Sequence, residues 1–404
     1  MEERSLHIAI PLMDELDNLP QLLDDIKAQD VQNFKVYFCV NQPDVWWNNK
    51  EKREVCERNL RSIDYIQQHA DFPVKLIDRC SQGKGWQGKN LGVGWARKVV
   101  MDAVSEEASE ADIIITLDGD TRFEAGYFNS ISVNFAQHPD AVGLSVPYYH
   151  KLSDSEAEDR AILRYEIYMR NYALNLWRIA NPYRYTALGS AMALPIRVYR
   201  AIGGMTPKKS GEDFYFLQKL VKYGKLLTWN EEKVYPAARF SDRVFFGTGP
   251  AMIKGDRGDW DSYPVYHHSL FDDVKQTYDA FPKLYEENVA TPLGNFLENS
   301  LRQENIWQAL RTNAGSLKGF VKACAEKIDG LRILQFLRHS QDELALTDEE
   351  CLLSNLSVFQ PQLLQDFDFL HEGFTFEELS VDQLNRIRDA LVHIEEEYQR
   401  ANHG

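Results

Sequence analysis

The first half of the chain alternates short apolar runs with amphipathic stretches of helical period, which restricts it to a sheet of largely parallel strands packed by helices. Residues 6–10 read as a first strand ending at Pro11. A helix follows, capped near Asp17 or Asn18, with Pro20 in its first turn and Leu19, Leu22, Leu23 and Ile26 on one face. Strands at 35–40 and 74–78 flank a polar loop containing tryptophan and a charged helix over roughly 51–69. Residues 111–117 (ADIIITL) form a fourth strand, and the unbroken run Ile113, Ile114, Ile115 points to burial on both faces. Segments at 141–146 and 226–229 complete the sheet.

From about residue 266 helical periodicity takes over. Capping boxes are expected at Thr347 with Glu350 and at Ser380 with Gln383. The last helix carries Leu384, Ile387, Leu391 and Ile394 on one stripe. A chain of 404 residues exceeds one ordinary core, so the expected division is an α/β domain over 1–265 and an α-helical region over 266–404.

Charge and composition exclude several partners. The formal net charge is −16 and no basic tract offsets it, which argues against nucleic acid. Five cysteines without CxxC or zinc-ribbon spacing suit a reducing compartment. The first residues enter a strand directly, with no signal-peptide pattern, and no apolar stretch of ~18 residues could serve as a transmembrane segment. The expected location is the cytoplasm.

Two acidic motifs carry the chemistry. Asp118-Gly119-Asp120 follows the most buried strand, at the strand end where α/β sheets gather ligands. Two carboxylates separated by one glycine suit a hard divalent cation that completes its shell with substrate phosphates, and they also suit a plain Asp-Gly turn. Ser210-Gly211-Glu212-Asp213 opens a later helix. It reads as a capping-box-like start with acids favoured by the helix dipole, or as a carboxylate held ionised to act as a general base on a hydroxyl.

Taken in order, IAIPLMDELDNLPQLLDDI, GKNLGVGWAR, ITLDGDTRF, GSAMALPIRVYRAIGGM and GEDFYFLQKL resemble the family 2 glycosyltransferases, over roughly residues 5–245. The resemblance implies a GT-A fold, a Rossmann-like mixed sheet flanked by helices. It implies transfer from a UDP- or GDP-linked nucleotide-sugar donor to a saccharide or other small-molecule acceptor, with inversion. It places Mg²⁺ or Mn²⁺ and the donor diphosphate on Asp118 and Asp120, and the general base on Asp213, with Glu212 as neighbour or substitute. Pro11, Asp14 and Glu15 would hold the base and ribose, and Lys89 and Asn90 would begin a helix lining the donor pocket. Where the family usually places acidic residues after the second strand, this chain has Asn41, which can hydrogen-bond a base edge. The Gln-x-x-Arg-Trp motif of processive synthases is missing, so a single addition is expected.

Several residues keep two readings. Arg239 or Arg243 could grip the diphosphate or be surface arginines. His267 could complete the metal shell or serve structurally. Tyr165, Tyr168, Tyr172 and Trp177 fit core packing better than sugar stacking, and the loop over 181–185 is the better acceptor candidate. The GxxxxGK string at 83–89 is followed by Asn90 instead of Ser or Thr and contains Trp86, which argues against a phosphate-binding loop. A sugar nucleotidyltransferase would place a glycine-rich basic loop where Met13-Asp14-Glu15-Leu16 stand. A degenerate protein that binds sugar or a partner without turnover is the non-enzymatic alternative.

Overall fold

The computed structural model describes residues 4–89, 91–209, 211–241 and 247–403. By chain order the elements are β1 (Leu6–Leu12), α1 (Leu19–Lys27), β2 (Phe34–Asn41), α2 (Arg53–His69) and β3 (Val74–Arg79). Then come α3 (Val93–Glu107), β4 (Ile113–Thr116), β5 (Arg122–Phe123), α4 (Tyr127–Gln137), β6 (Gly143–Ser145) and α5 (Glu156–Arg178). They are followed by β7 (Met192–Pro195), α6 (Ile196–Ala201), α7 (Glu212–Tyr223), β8 (Leu226–Leu227) and β9 (Val234–Tyr235), after which the described elements are helical.

The chain forms two compact units. The first comprises residues 1–162, 185–258 and 399–404, and the second comprises 163–184 and 259–398. A boundary near 265, read from the change in periodicity, does not separate out 163–184. That segment continues the helical pattern of α5, and only its packing with later residues assigns it to the second unit.

The first unit is built on a seven-stranded mixed sheet in the order β3-β2-β1-β4-β7-β6-β8. β1 pairs in parallel with β2 on one side and β4 on the other, whereas β7 runs antiparallel to both β4 and β6. This is the mixed α/β sheet with flanking helices that the resemblance implies. The four-residue β7 is too short to leave a periodic trace in the sequence. β4 is buried along its whole length, as the isoleucine run requires.

β1 continues through Pro11 to Leu12 instead of ending at the proline. Leu117 N–H donates to Ala9 O, so residues of that parity turn their backbone toward β4. Two residues on, Pro11 faces past the end of β4, where its missing N–H leaves no ladder bond unmade. α1 starts with Pro20 in its first turn and buries Leu19, Leu22, Leu23 and Ile26. Its N-cap is Asn18, but the Asn18 amide donates to Glu15 (2.5 Å) and does not cap the helix.

In the second unit, both capping boxes form. Thr347 and Glu350 satisfy each other's backbone N–H, and Ser380 and Gln383 do the same. Tyr165 and Tyr168 pack against Tyr263, and Tyr172 packs against Tyr266 and Phe271, so these rings belong to a core. Among the described residues no helix is long and apolar enough to cross a membrane.

Candidate active site

After β1, β2 and β3 step outward to one side, the chain returns to place β4 on the other side of β1. The carboxyl ends of β1 and β4 therefore flank a topological switch point, where ligands of α/β sheets collect. Each strand delivers acids there: Asp14 and Glu15 after β1, Asp118 and Asp120 after β4. The two turns touch. A Cβ on Gly119 would lie 2.6 Å from Leu12 Cδ2 and 2.8 Å from Glu15 Cγ, so only glycine lets the β4 turn close on β1.

Arg239 ties the turns together electrostatically. Its Nη2 donates to Glu15 Oε1 (2.6 Å) and to Asp120 Oδ2 (2.5 Å). Of the two arginines weighed from sequence, Arg239 is therefore brought to the site, and Arg243 lies outside the described residues. Asp14 holds a left-handed backbone (φ 57°), with its carboxylate bound by Arg58 Nε at 2.5 Å.

The second cation is Arg97 of α3, which is 1% exposed. It donates from Nη2 to Asp118 Oδ1 (2.8 Å), from Nη1 to Gly189 O (2.9 Å) and from Nε to Glu212 Oε1 (3.1 Å). This arginine lies within GVGWAR, and no motif of the sequence gives it a role. The available signal was its place on the buried stripe of α3 with Gly94, Met101 and Val104, where an arginine needs partners.

α7 begins at Glu212, and its N-cap is Gly211 in the left-handed region (φ 72°) with no side-chain cap. Ser210, from which a capping-box-like start was expected, lies outside the described residues. Glu212 is buried against Arg97. Asp213 is half-buried and accepts from the adjacent Phe214 N–H at 2.8 Å. The expectation that a helix N-terminus keeps it fully ionised at neutral pH is corrected. Burial, then the neighbouring Glu212 charge, push its carboxyl up to about 7 against the opposing pull of Arg97.

Other expected donor contacts are placed differently. Asn41 is 4% exposed. Its amide donates to Leu12 O (2.8 Å), and its carbonyl accepts from Trp86 Nε1 (2.9 Å), so it laces strand ends together. Lys89 is exposed and precedes α3, which starts at Val93 behind Gly92; Asn90 lies outside the described residues. The GxxxxGK segment forms no phosphate nest. Trp86 N donates to Gln42 O and Asp44 N donates to Trp86 O, and a Cβ on Gly85 would meet Asp44 backbone at 2.7 Å.

His267 belongs to the second unit. No strand precedes it: it is the N-cap of the helix His268–Asp279, with Nδ1 2.8 Å from Ser269 Oγ and Nε2 2.9 Å from Ser354 Oγ. Among the described residues no three His, Cys, Asp or Glu side chains converge as a metal-binding group. The switch-point donors are nonetheless hard oxygens, and the Asp118 side chain is 36% exposed. That set fits a cation that takes one or two carboxylates and completes its shell with water and phosphate.

No family model and no curated protein matches the sequence. Among solved structures, S. aureus TarS 1-349 in complex with UDP-GlcNAc is similar at 10% identity and a TM-score of 0.39, covering 84% of this chain and 92% of that one. A Pyrobaculum calidifontis mannosyltransferase in complex with GDP-Man and Mn²⁺ is similar at 13% identity and a TM-score of 0.36, covering 98% and 88%. Glucosyl-3-phosphoglycerate synthase from Mycobacterium tuberculosis, in complex with Mg²⁺ and UDP, is similar at 10% identity and a TM-score of 0.35, covering 63% and 80%.

Proposed function

We propose that the chain is a glycosyltransferase of the family 2, GT-A kind, moving a sugar from a UDP- or GDP-linked donor to an acceptor hydroxyl. The observation that carries this reading is the joining of the two acidic motifs by one guanidinium. Arg97 binds Asp118 of the switch-point turn and Glu212 beside Asp213, which brings the two acidic motifs into one locality.

In this proposal Asp118 and Asp120 hold Mg²⁺ or Mn²⁺, and Asp213 accepts the acceptor's proton. A bound cation would supply stabilisation of the departing diphosphate. Arg97 binds Asp118 and Glu212, and Arg239 binds Glu15 and Asp120, so the carboxylates that would meet the cation are already held in place. A base whose pKa lies near the working pH combines a useful deprotonated fraction with real proton affinity. Glu212, buried and held by Arg97, is assigned to positioning. Asp14 and Glu15 would border the donor side, and Arg239, held by Glu15 and Asp120, would stand beside the diphosphate. Inversion is what the family resemblance implies, and single addition is what the missing Gln-x-x-Arg-Trp motif implies.

The test is calorimetric titration with UDP and with GDP, each with and without Mn²⁺. Metal-dependent binding of one nucleotide by the wild-type protein, lost in Asp118→Asn, is the expected result. A folded protein that binds neither would end the donor-site reading. NMR of the product would then check that the donor's anomeric configuration inverts.

A further inference from the structure

We infer that Arg97 is the positioning residue that holds the metal-and-diphosphate turn in register with the base-bearing start of α7. The inference rests on the donor-site reading proposed above. Its three acceptors come from segments far apart in the chain: Asp118 after β4, Gly189 ahead of β7 and Glu212 opening α7. A planar guanidinium can address three fixed directions at once, whereas an ammonium on a flexible stem cannot fix them all in one plane.

The protein is shaped around this side chain. A Cβ on Gly189 would stand 2.2 Å from Arg97 Nη2 and 2.7 Å from Cζ. One turn earlier in α3, a Cβ on Gly94 would stand 2.2 Å from Lys208 O and 3.1 Å from Glu212 Cβ. Glycines on two separate segments thus let α3 close against the approach to α7 and let the guanidinium reach its carbonyl. Thr116 Oγ1 donates to the same Gly189 carbonyl at 2.6 Å, which anchors that acceptor to β4.

Stability alone does not account for the arrangement, because buried ion pairs add little over well-packed apolar groups. What the arrangement secures is orientation. Asp118 Oδ1 is held from behind while its side chain remains 36% exposed, and Glu212 is fixed so that Asp213 follows at a set place on the first helical turn.

The experiment is calorimetric binding of UDP and GDP with Mn²⁺ to Arg97→Lys, Arg97→Met, Gly189→Ala and Glu212→Gln proteins, with thermal melts as the folding control. Gly189→Ala is the decisive variant. It keeps every charge, and its methyl would stand nearest the Arg97 guanidinium, so the guanidinium must move, and the thermal melt reports whether the fold is kept. Arg97→Lys and Gly189→Ala are each expected to weaken nucleotide binding about 10- to 100-fold, the scale of lost orienting contacts around a metal site. Glu212→Gln is expected to weaken it in the wild-type background and to add nothing in Arg97→Met. Should Arg97→Met fail to fold, Arg97→Lys and Gly189→Ala still decide. Wild-type affinity in Arg97→Lys and Gly189→Ala, or full additivity of Glu212→Gln with Arg97→Met, would overturn the inference and leave the donor site standing. Absence of binding by the wild-type protein would instead remove the donor site, and the inference with it.

Discussion

Each unit contains a fully buried arginine that holds carboxylates, and the two are put to different use. In the first unit Arg97 binds Asp118 and Glu212, groups at the end of a strand and the start of a helix. In the second, Arg388 binds Glu166 at 3.0 Å, with both side chains 0% exposed. Arg170 extends that network from Glu166 to Glu395, and the Arg170 and Glu395 side chains are 4% and 3% exposed. The chemistry is alike, but the positions differ. Glu166 and Arg388 lie in helix interiors and are themselves shut off from solvent, although Arg388 also reaches the half-exposed Asp389. Asp118 and Glu212 lie at element ends, where one side of the network stays open. A sealed network braces helices, and an open one can exchange a protein cation for a ligand.

The largest effect expected from breaking this contrast is at Asp213. Asp213→Asn should lower turnover about 10²- to 10⁴-fold, the contribution of a positioned base, with the melting curve retained. The wild-type rate should rise with pH through about 7 as Asp213 loses its proton. The sign for stability is the reverse. A carboxyl at about 7 in the folded protein and in the ordinary carboxylate range when unfolded binds more protons when folded between those values. Stability should therefore fall as pH rises through that window, and Asp213→Asn should flatten the fall in urea titrations across pH.

Next comes the sealed network. Arg388→Met should cost about 3 kcal/mol, the low end for a broken buried ion pair because Arg170 still holds Glu166, and urea unfolding measures it. Glu166→Leu with Arg388→Met should recover much of that loss, since Arg170 keeps Glu395. A double variant no better than the single one would show that this network, too, is kept for more than bracing.

Smaller effects sharpen the open side. Arg239→Ala removes the internal cation from Glu15 and Asp120, so Mn²⁺ alone should bind more tightly while the nucleotide diphosphate binds more weakly. Changes of about tenfold in each, opposite in sign, would fit the loss of one charge-assisted contact. Tightening or weakening of both together would count against the exchange of cations. The smallest effect is at the strand-end lacing. Trp86→Phe leaves Asn41 without its indole donor, at a cost of about 1 kcal/mol, readable in a thermal melt.

Periodicity and punctuation in the sequence were sufficient for the local elements. The isoleucine run before Asp118 located the buried central strand, the leucine face placed α1 behind Pro20, and both capping boxes followed from side chains three residues apart. Such signals are legible because each depends on neighbours within a few positions. The antiparallel insertion of β7, the passage of 163–184 into the second unit and the partners of Arg97 depend on residues tens to hundreds of positions away, so only the folded chain decides them. The raised carboxyl of Asp213 belongs with these. The sequence placed two adjacent acids at a helix start, but the burial of Asp213 is a tertiary fact, and here burial with the Glu212 charge outweighs the pull of Arg97 and of the Phe214 N–H.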